Sequence, residues 1–299
     1  MIRVLWKETD VSRLMTLVTV EQTLTGAGKE ARLQGIYAPD RPAFALLNPL
    51  CGDPVTVEAK GVLLFSGSVE RVEWDSEALL LTLICFEPSA LLAKNEAYRA
   101  FSGSPKEVAA QLCRLCGLPL HRGWDKPGRV FLPPARGYSL LQLLRQTYGN
   151  DCVLHWQPEG LTIAQAGKEA FLLPEDGILS LSAAHDCQRT VTGAAVISAK
   201  GTTLATAALP ALETRLGPRR RVYALVGAQA QANAQAQSCL TAPDYTGTLL
   251  LDGHPEAKCG LRMEARLGAW GLQGTYLLHR VLHRLEGGIF TTTIGVMRL

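Results

Sequence analysis

Between residues 261 and 267 apolar and charged side chains alternate without a break: Leu261, Met263, Ala265 and Leu267 in one register, Arg262, Glu264 and Arg266 in the other. Only an extended chain turns successive side chains to opposite faces. This period of two therefore predicts a strand buried on one side and charged on the other. Such strands belong to antiparallel sheets with one covered face. The sequence that follows supplies partners. Residues 268–274 turn the chain, 275–285 read as a return strand, Glu286-Gly287-Gly288 makes a hairpin turn, and 289–296 form a last strand with three consecutive threonines. The C-terminal stretch is expected to be a curled antiparallel meander.

A second strand series runs from Asp53 to Phe86. Val55 and Val57 alternate with polar residues, Lys60-Gly61 offers a turn, and residues 62–66, 69–74 and 79–86 follow as strands. Gly67 interrupts this series, where a bulge or tight bend would let the sheet curl into a small barrel. Between the two β regions the pattern changes. Ser104-Pro105 caps a helix that carries Val108, Leu112 and Leu115 and ends at Gly117. Ser139 caps another with Leu140, Leu143 and Leu144, stopping near Gly149-Asn150. A strand pair, 153–157 and 161–164, turns at Pro158-Glu159-Gly160. Strand character returns at Ile178, is clearest over 191–198 and closes at Gly201; an Ala- and Gln-rich helix is expected from Ala228 to Leu240. No short internal repeat supports a solenoid or propeller. The predicted fold is α+β and mainly β. It has two tube-type antiparallel β-barrel domains, residues 1–97 and 177–299, the second with one helix, and a small α+β insert, residues 98–176, between them.

With 299 residues, 47% of them hydrophobic and 19% charged, the chain can bury several cores and does not resemble a disordered tail. Its 30 basic and 27 acidic residues leave a net charge of +3, too little to imply a nucleic-acid or membrane partner without a clustered patch. The one cluster is Arg219-Arg220-Arg221. Arg3, Lys7, Glu8, Asp10 and Arg13 break up any secretory h-region, and no uncharged apolar run reaches the roughly 18 residues of a membrane span, so a soluble chain is expected. Cys51, Cys85, Cys113, Cys116, Cys152, Cys187, Cys239 and Cys259 are mostly dispersed among apolar neighbours, as free thiols of a reducing cytoplasm would be.

Few residues are arranged for chemistry. Cys113 and Cys116 form a C-x-x-C, but no second pair or suitably spaced histidine accompanies them, and helical spacing places both on one largely apolar helix. His279 and His283 share a strand face yet stand about 13 Å apart at the usual rise, which makes them structural. His121, His155, His185 and His254 adjoin no Ser, Cys or Asp in a nucleophile-like turn. Glu70, Glu73, Asp75 and Glu77 cluster at a strand end, where solvated charge outweighs a glycosidase pair. The arginine run reads as a protein contact or a solvated loop, because no aromatic residues interleave it. No catalytic residue, metal ligand or cofactor site is assigned.

Gly52-Asp53-Pro54-Val55-Thr56-Val57 followed by Leu64-Phe65-Ser66-Gly67-Ser68-Val69 resembles the first hairpin of a known family, the baseplate hub proteins of contractile phage tails and related injection systems that include phage late control protein D. Phe101-Ser102-Gly103-Ser104-Pro105 leading to Cys116-Gly117-Leu118-Pro119 resembles its middle segment. Gly253-His254-Pro255, Gly260, Gly274-Thr275-Tyr276 and the run from His283 to Thr292 resemble its terminal barrel, with Phe290 standing where the pattern has tyrosine. The matched positions Gly52, Asp53, Phe65, Gly67, Gly253, Gly260, Gly274, His283, Thr291 and Thr292 are structural by this resemblance.

The resemblance implies a non-enzymatic structural protein of the virion tail baseplate or a contractile particle, assembled in the bacterial cytoplasm. Three copies, each giving two barrels, would make a pseudo-sixfold ring that adapts a hexameric tail tube to a trimeric spike. Its partners would be itself, the spike protein, the tube or tube-initiator protein and baseplate wedge proteins, with DNA at most a transient cargo of the lumen and no membrane. The alternative is a tail-associated peptidoglycan-binding or cell-wall-degrading hub module, in which the insert between Ser102 and Ile163 contacts the wall.

Overall fold

The computed structural model describes residues 2–36, 48–134, 136–226, 229–268 and 272–299. Alternating β-branched and polar residues near the N-terminus give seven strands: β1 Ile2–Trp6, β2 Thr9–Asp10, β3 Met15–Thr23, β4 Glu30–Ile36, β5 Pro54–Ala59, β6 Val62–Asp75 and β7 Leu80–Phe86. They pair antiparallel in the order β3-β4-β7-β6-β5-β1-β2 around one apolar core. The break expected at Gly67 is absent, and β6 runs unbroken through it for 14 residues. Two bulges flank the glycine instead, one where Leu64 is left without a partner on β5 and one where Glu70 is left without a partner on β7. Each extra residue flips the register, so Leu64 and Phe65 are buried in succession and Glu70 and Arg71 are exposed in succession. A Cβ on Gly67 would lie 2.2 Å from the carbonyl oxygen of Phe86, so only glycine allows β6 to approach β7 this closely.

The insert follows as α1 Leu91–Lys94, β8 Phe101–Gly103, α2 Pro105–Leu115, β9 Leu120–Arg122, β10 Val130–Leu132, α3 Leu140–Tyr148, β11 Cys152–Gln157 and β12 Gly160–Gln165. Ser104 and Ser139 both form reciprocal capping boxes, with Glu107 and Gln142 respectively, each worth about 1 kcal/mol. The apolar faces of α2 and α3 meet the inner face of β11–β12 in a separate core. Cys113 lies in that core, whereas Cys116 is the residue after the helix and is half-buried, so the two do not share the helix as expected.

Strands β13 Ala170–Phe171 and β14 Ile178–Asp186 come next. The chain divides into two units, Met1–Ser182 with Thr248–Met297, and Ala183–Gly247. In the second unit, β15 Gly193–Ile197 lies between the antiparallel β16 Thr203–Ala208 and the parallel β17 Arg220–Ala224. Two helices, α4 Pro210–Leu216 and α5 Ala232–Ser238, complete it. The arginine run is therefore not a loop: Arg220 and Arg221 begin β17. Val191, expected in β15, instead bridges Thr241. The expected Ala228–Leu240 helix is shorter, a 3-10 turn at Gln229–Gln231 followed by α5, and Ala228 lies outside the described residues.

The chain closes with β18 Asp244–Asp252, β19 Arg262–Leu267, β20 Leu272–Glu286 and β21 Ile289–Arg298. Met263 and Ala265 are buried while Arg262, Glu264 and Arg266 are exposed, as the alternation requires. β20 pairs on one side with β21 and on its other side with β3, from Arg280 opposite Thr23 to Glu286 opposite Leu17. That one ladder joins the early and late strands into a single thirteen-stranded sheet. With 51% strand and 18% helix, the fold is mainly β and its curled half-barrel sheet sets the architecture.

Candidate functional site

The residues of the first hairpin motif form a joint. Gly52 takes φ +93°, a left-handed conformation that glycine adopts without cost, and its N–H donates to the Val69 carbonyl at 2.7 Å. The next residue, Asp53, is buried and receives the Trp6 indole N–H at 3.1 Å, the Leu50 backbone N–H at 2.8 Å and the Lys7 ammonium at 2.9 Å. Burial pushes its carboxyl up, but the Leu50 N–H, Lys7 and Trp6 together outweigh burial and leave it below the ordinary carboxylate value. A carboxylate with that many donors ties the hairpin to β1. Phe65 is buried in the core of the N-terminal strands.

The terminal motif residues form a second cluster, in part. Thr292 is fully buried; its hydroxyl accepts the His254 N–H at 2.9 Å and meets His283 Nδ1 at 3.1 Å. Gly253 bonds the Phe290 carbonyl, and a Cβ there would strike the Phe290 ring at 2.1 Å. Lys60, in the β5–β6 turn, donates to the Gly253 carbonyl at 2.8 Å and sits 5.9 Å from the centre of the Phe290 ring. Thr291, half-buried, lies next in β21. Gly260 and Gly274 lie elsewhere: Gly260 packs on Val153, where a Cβ would meet it at 2.7 Å, and Gly274 pairs with Ala265 in the β19–β20 ladder. A hydroxyl beside a histidine has the outline of a nucleophile and base. Here both groups are buried, burial with the Lys29 charge pushes His283 down to about 4, and the pair ties β20 to β21.

Sequence reasoning missed the polar residues that fasten these parts. Gln22 on β3 donates to the Leu154 carbonyl at 3.0 Å and to His155 Nδ1 at 3.2 Å, and accepts the Cys259 N–H at 3.1 Å. One amide thereby links the sheet, the insert and the loop before β19. Lys29 and Glu87 form a buried pair, with Nζ 3.8 Å from the carboxylate, 2.6 Å from the Leu64 carbonyl, and the Lys29 N–H on Glu87 at 2.7 Å. Burial pushes Glu87 up to about 7 despite Lys29, and burial pulls Lys29 down. Nothing local distinguishes Gln22, Lys29 or Glu87 from surface residues. Arg145 on α3 reaches the Leu24 carbonyl at 2.8 Å and the Cys152 carbonyl, holding the insert to the β3–β4 turn.

The other singled-out groups are placed as follows. Burial pushes Cys113 up to about 12 and raises Cys116, so neither thiol is a ready nucleophile. Burial lowers His279, which is half-buried on β20. Glu70 pairs with Lys94 and Glu73 with Arg71, while Asp75 caps the β6–β7 turn through the N–H groups of Glu77 and Ala78. Arg220 pairs with Glu213 at 2.7 Å, and Arg219 holds the Cys187 carbonyl. Among the described residues no three His, Cys, Asp or Glu side chains gather as metal ligands would. No described helix is long and apolar enough to cross a membrane.

What remains is surface suited to association. The ladder register places Ile36 opposite Leu80, Trp74 opposite Leu81 and Glu286 opposite Leu17, all toward one end of the curled sheet. There Ile36, Trp74, Leu79 and Ile289 are at least half exposed. Exposed Arg262, Glu264 and Arg266 form a charged stripe along β19. The curled sheet thus exposes apolar side chains at one end and charges along one strand.

No protein-family model matches the sequence, and no curated protein matches it. Solved structures do. The 43 kDa tail protein of prophage MuSo2 from Shewanella oneidensis superposes with a TM-score of 0.78 at 15% identity, over 99% of this chain and 97% of that one. The chain has the fold of phage tail proteins. A tail protein from Neisseria meningitidis MC58 gives 0.69 at 13% identity over 99% and 96% of the two chains. The E. coli c3393 protein, described as a component of the type VI secretion system with structural similarity to the T4 bacteriophage tail proteins gp27 and gp5, gives 0.56 at 8% identity over 95% and 73%.

Proposed function

We propose that the chain is a structural baseplate hub protein of a contractile tail or injection machine, forming a trimeric ring that adapts a hexameric tube to a trimeric spike. The observation that carries this reading is the match to tail proteins along nearly the whole of both chains, with the early and late strands joined in one curled sheet. A likeness between this fold and a secretion-system component described as similar to gp27 and gp5 adds the injection-machine half of the proposal. The role is mechanical: the exposed rim and charged stripe contact neighbouring copies, the tube and the spike, with baseplate wedge proteins outside and DNA at most passing through. The virion tail baseplate or an equivalent particle is its proposed location.

Mass measurement of the assembled hub tests this directly, since closed rings report their copy number. Three copies per ring are expected. The isolated chain stays monomeric until spike or tube supplies the rest of the interface. A stable hexamer would remove the pseudo-sixfold reading.

A further inference from the structure

Two exposed patches of opposite character lie on the first unit. One is a ribbon on the insert, where two stretches run side by side, with Glu96 bridging Ser139 and Phe101 opposite Leu132. Three aromatic side chains stand out from it: Tyr98 is 66% exposed, Phe131 68% and Tyr138 39%. Arg136 lies 5.3 Å from the centre of the Tyr98 ring, and Arg99 lies 5.0 Å from that of Phe101. Single apolar residues on a surface are ordinary, but three rings with two arginines have the composition that dominates binding energy in protein interfaces.

The other patch is the tip of the β6–β7 hairpin. Asp75 and Leu80 are its last pair, and the Asp75 carboxylate fixes the turn by accepting the Glu77 and Ala78 N–H groups at 3.0 and 2.9 Å. Trp74 is 53% exposed and Leu79 50%. Leu79 is also held at φ +50°, a left-handed conformation that a bulky side chain disfavours. Glycine would relieve that strain, whereas the leucine presents an apolar side chain to solvent.

The patches are complementary in charge. On the ribbon Arg99, Arg129 and Arg136 outnumber Glu96, since Glu107 is held in the α2 cap. At the tip Asp75 and Glu77 are joined only by Arg71 and Glu73, which pair with each other. Among the described residues no carboxylate forms an ion pair with Arg99 or Arg136, and no cation forms one with Asp75 or Glu77. Both patches are exposed in the chain, so they do not cover one another within a copy.

We propose that the hairpin tip of one copy docks on the aromatic ribbon of a second copy, with Trp74 and Leu79 against the rings and Asp75 and Glu77 facing Arg99 and Arg136. Different surfaces meet in such a contact, so it is heterologous and each copy offers one of each to its neighbours. The proposal rests on the ring reading and names the surfaces by which the copies meet.

Photo-crosslinking of the concentrated full chain tests it, with benzoylphenylalanine in place of Trp74, because the reaction traps transient encounters of a chain that is monomeric at rest. Mixing unlabelled and isotope-labelled copies identifies products between copies by mass. Crosslinks to peptides within 96–103 or 128–139 of the second copy are expected. Arg99→Glu with Arg136→Glu should lower the yield about tenfold, because like charges then face each other, and adding Glu77→Arg should restore part of it. Leu79→Gly should lower the yield with a melting temperature unchanged or raised, since it removes the side chain and the strain together. Crosslinks confined to other surfaces, none between copies, or a yield unmoved by the charge reversals would overturn the proposal. Oligothymidylate binding that is lost in Tyr98→Ala with Phe131→Ala would also overturn it, by assigning the aromatic face to single-stranded nucleic acid. Copy number is measured separately. Rings of three without the crosslink lose only this contact, and the crosslink in open chains keeps the contact and loses the closed hub.

Discussion

The insert of the first unit and the small sheet of the second are both helix packed on sheet, yet their interiors differ in kind. The insert buries Phe101, Leu112, Leu144, Tyr148, Leu161 and Ile163, whereas the second unit centres on Val196 surrounded by Ala205, Ala207, Ala232 and Ala236. A buried leucine contributes roughly 1.5–3 kcal/mol, and a lone methyl under about 1 kcal/mol. The second unit compensates with polar ties. Gln235 donates to the Ala224 carbonyl at 2.8 Å and accepts the Val226 N–H at 2.9 Å, Arg219 holds the Cys187 carbonyl, and His185 stacks on Tyr245 at 3.9 Å. Such hydrogen bonds net only about 0.5–1.5 kcal/mol each. Cohesion by area and cohesion by hydrogen bonds give unequal resistance to opening, so amides of β15–β17 should exchange with solvent at a lower free energy than those of β11–β12. Hydrogen exchange measured by mass spectrometry checks this, and equal protection would erase the distinction.

The largest effect should come from the first unit's sheet. Met263 is fully buried in β19, and Met263→Asp should prevent folding, because an unpaired buried carboxylate costs several kcal/mol of the ~5–15 kcal/mol that hold a domain together. Circular dichroism would register a native-like variant as a failure of the core assignment. Next, Leu112→Ala in the insert should cost about 2–5 kcal/mol in urea denaturation. The matching change in the second unit, Ala236→Gly, should cost only about 1–2 kcal/mol, most of it helix propensity, and should raise exchange only between residues 183 and 247. A larger loss there would mean that the alanine core carries more than its area.

A pH effect separates the units further. His283 titrates near 4 in the fold against an ordinary 6.5, so on acidification the unfolded chain takes up a proton that the folded chain refuses. The His283 contribution to first-unit stability is therefore full above about pH 6.5 and falls as pH drops toward 4, by at most about 1.4 kcal/mol per pH unit. Glu87, raised from 4.5 to about 7, has the opposite sign and loses stability as pH rises through that window. His283→Asn should shrink the difference between urea midpoints at pH 7 and pH 5, and an unaltered difference would dissociate it from His283. The smallest stability effect, within about 0.5 kcal/mol, belongs to exposed Arg262→Ala with Arg266→Ala. That double variant should nonetheless lose assembly with spike or tube, measured by particle imaging; intact assembly would take β19 out of the interface.

What could be read from the sequence was what is decided within a few residues. The β19 alternation, the caps at Ser104 and Ser139 and the turn before Gly160 are local, and all appear where the pattern puts them. The continuity of β6 was not legible, because a bulge disrupts the period that marks a strand, and Gly67 read as its end. Pairing between distant strands leaves no local trace, so nothing in β3 announces β20. The same holds for the contacts of Gln22. His155 was visible only as a scattered histidine, and Gln22, which fixes its tautomer, lies 133 residues away. The helix α4 went unread because its seven residues are too few to show a period.

The ladder between β3 and β20 also sets a clock. Arg280 and Glu21 meet across it at 2.7 Å although they are 259 residues apart. At about 5–20 residues per second, β3 leaves the ribosome roughly 13 to 52 s before β20 exists. Throughout that interval β3 has an unsatisfied edge, the kind of surface that chaperones and proteases recognise. A chain stalled before Leu272 has a sheet that does not close on that side, and digestion with a glutamyl endopeptidase should find β3 cleavable after Glu21 until β20 emerges. Emergence of β20 is thereby the event that covers the edge β3 leaves open.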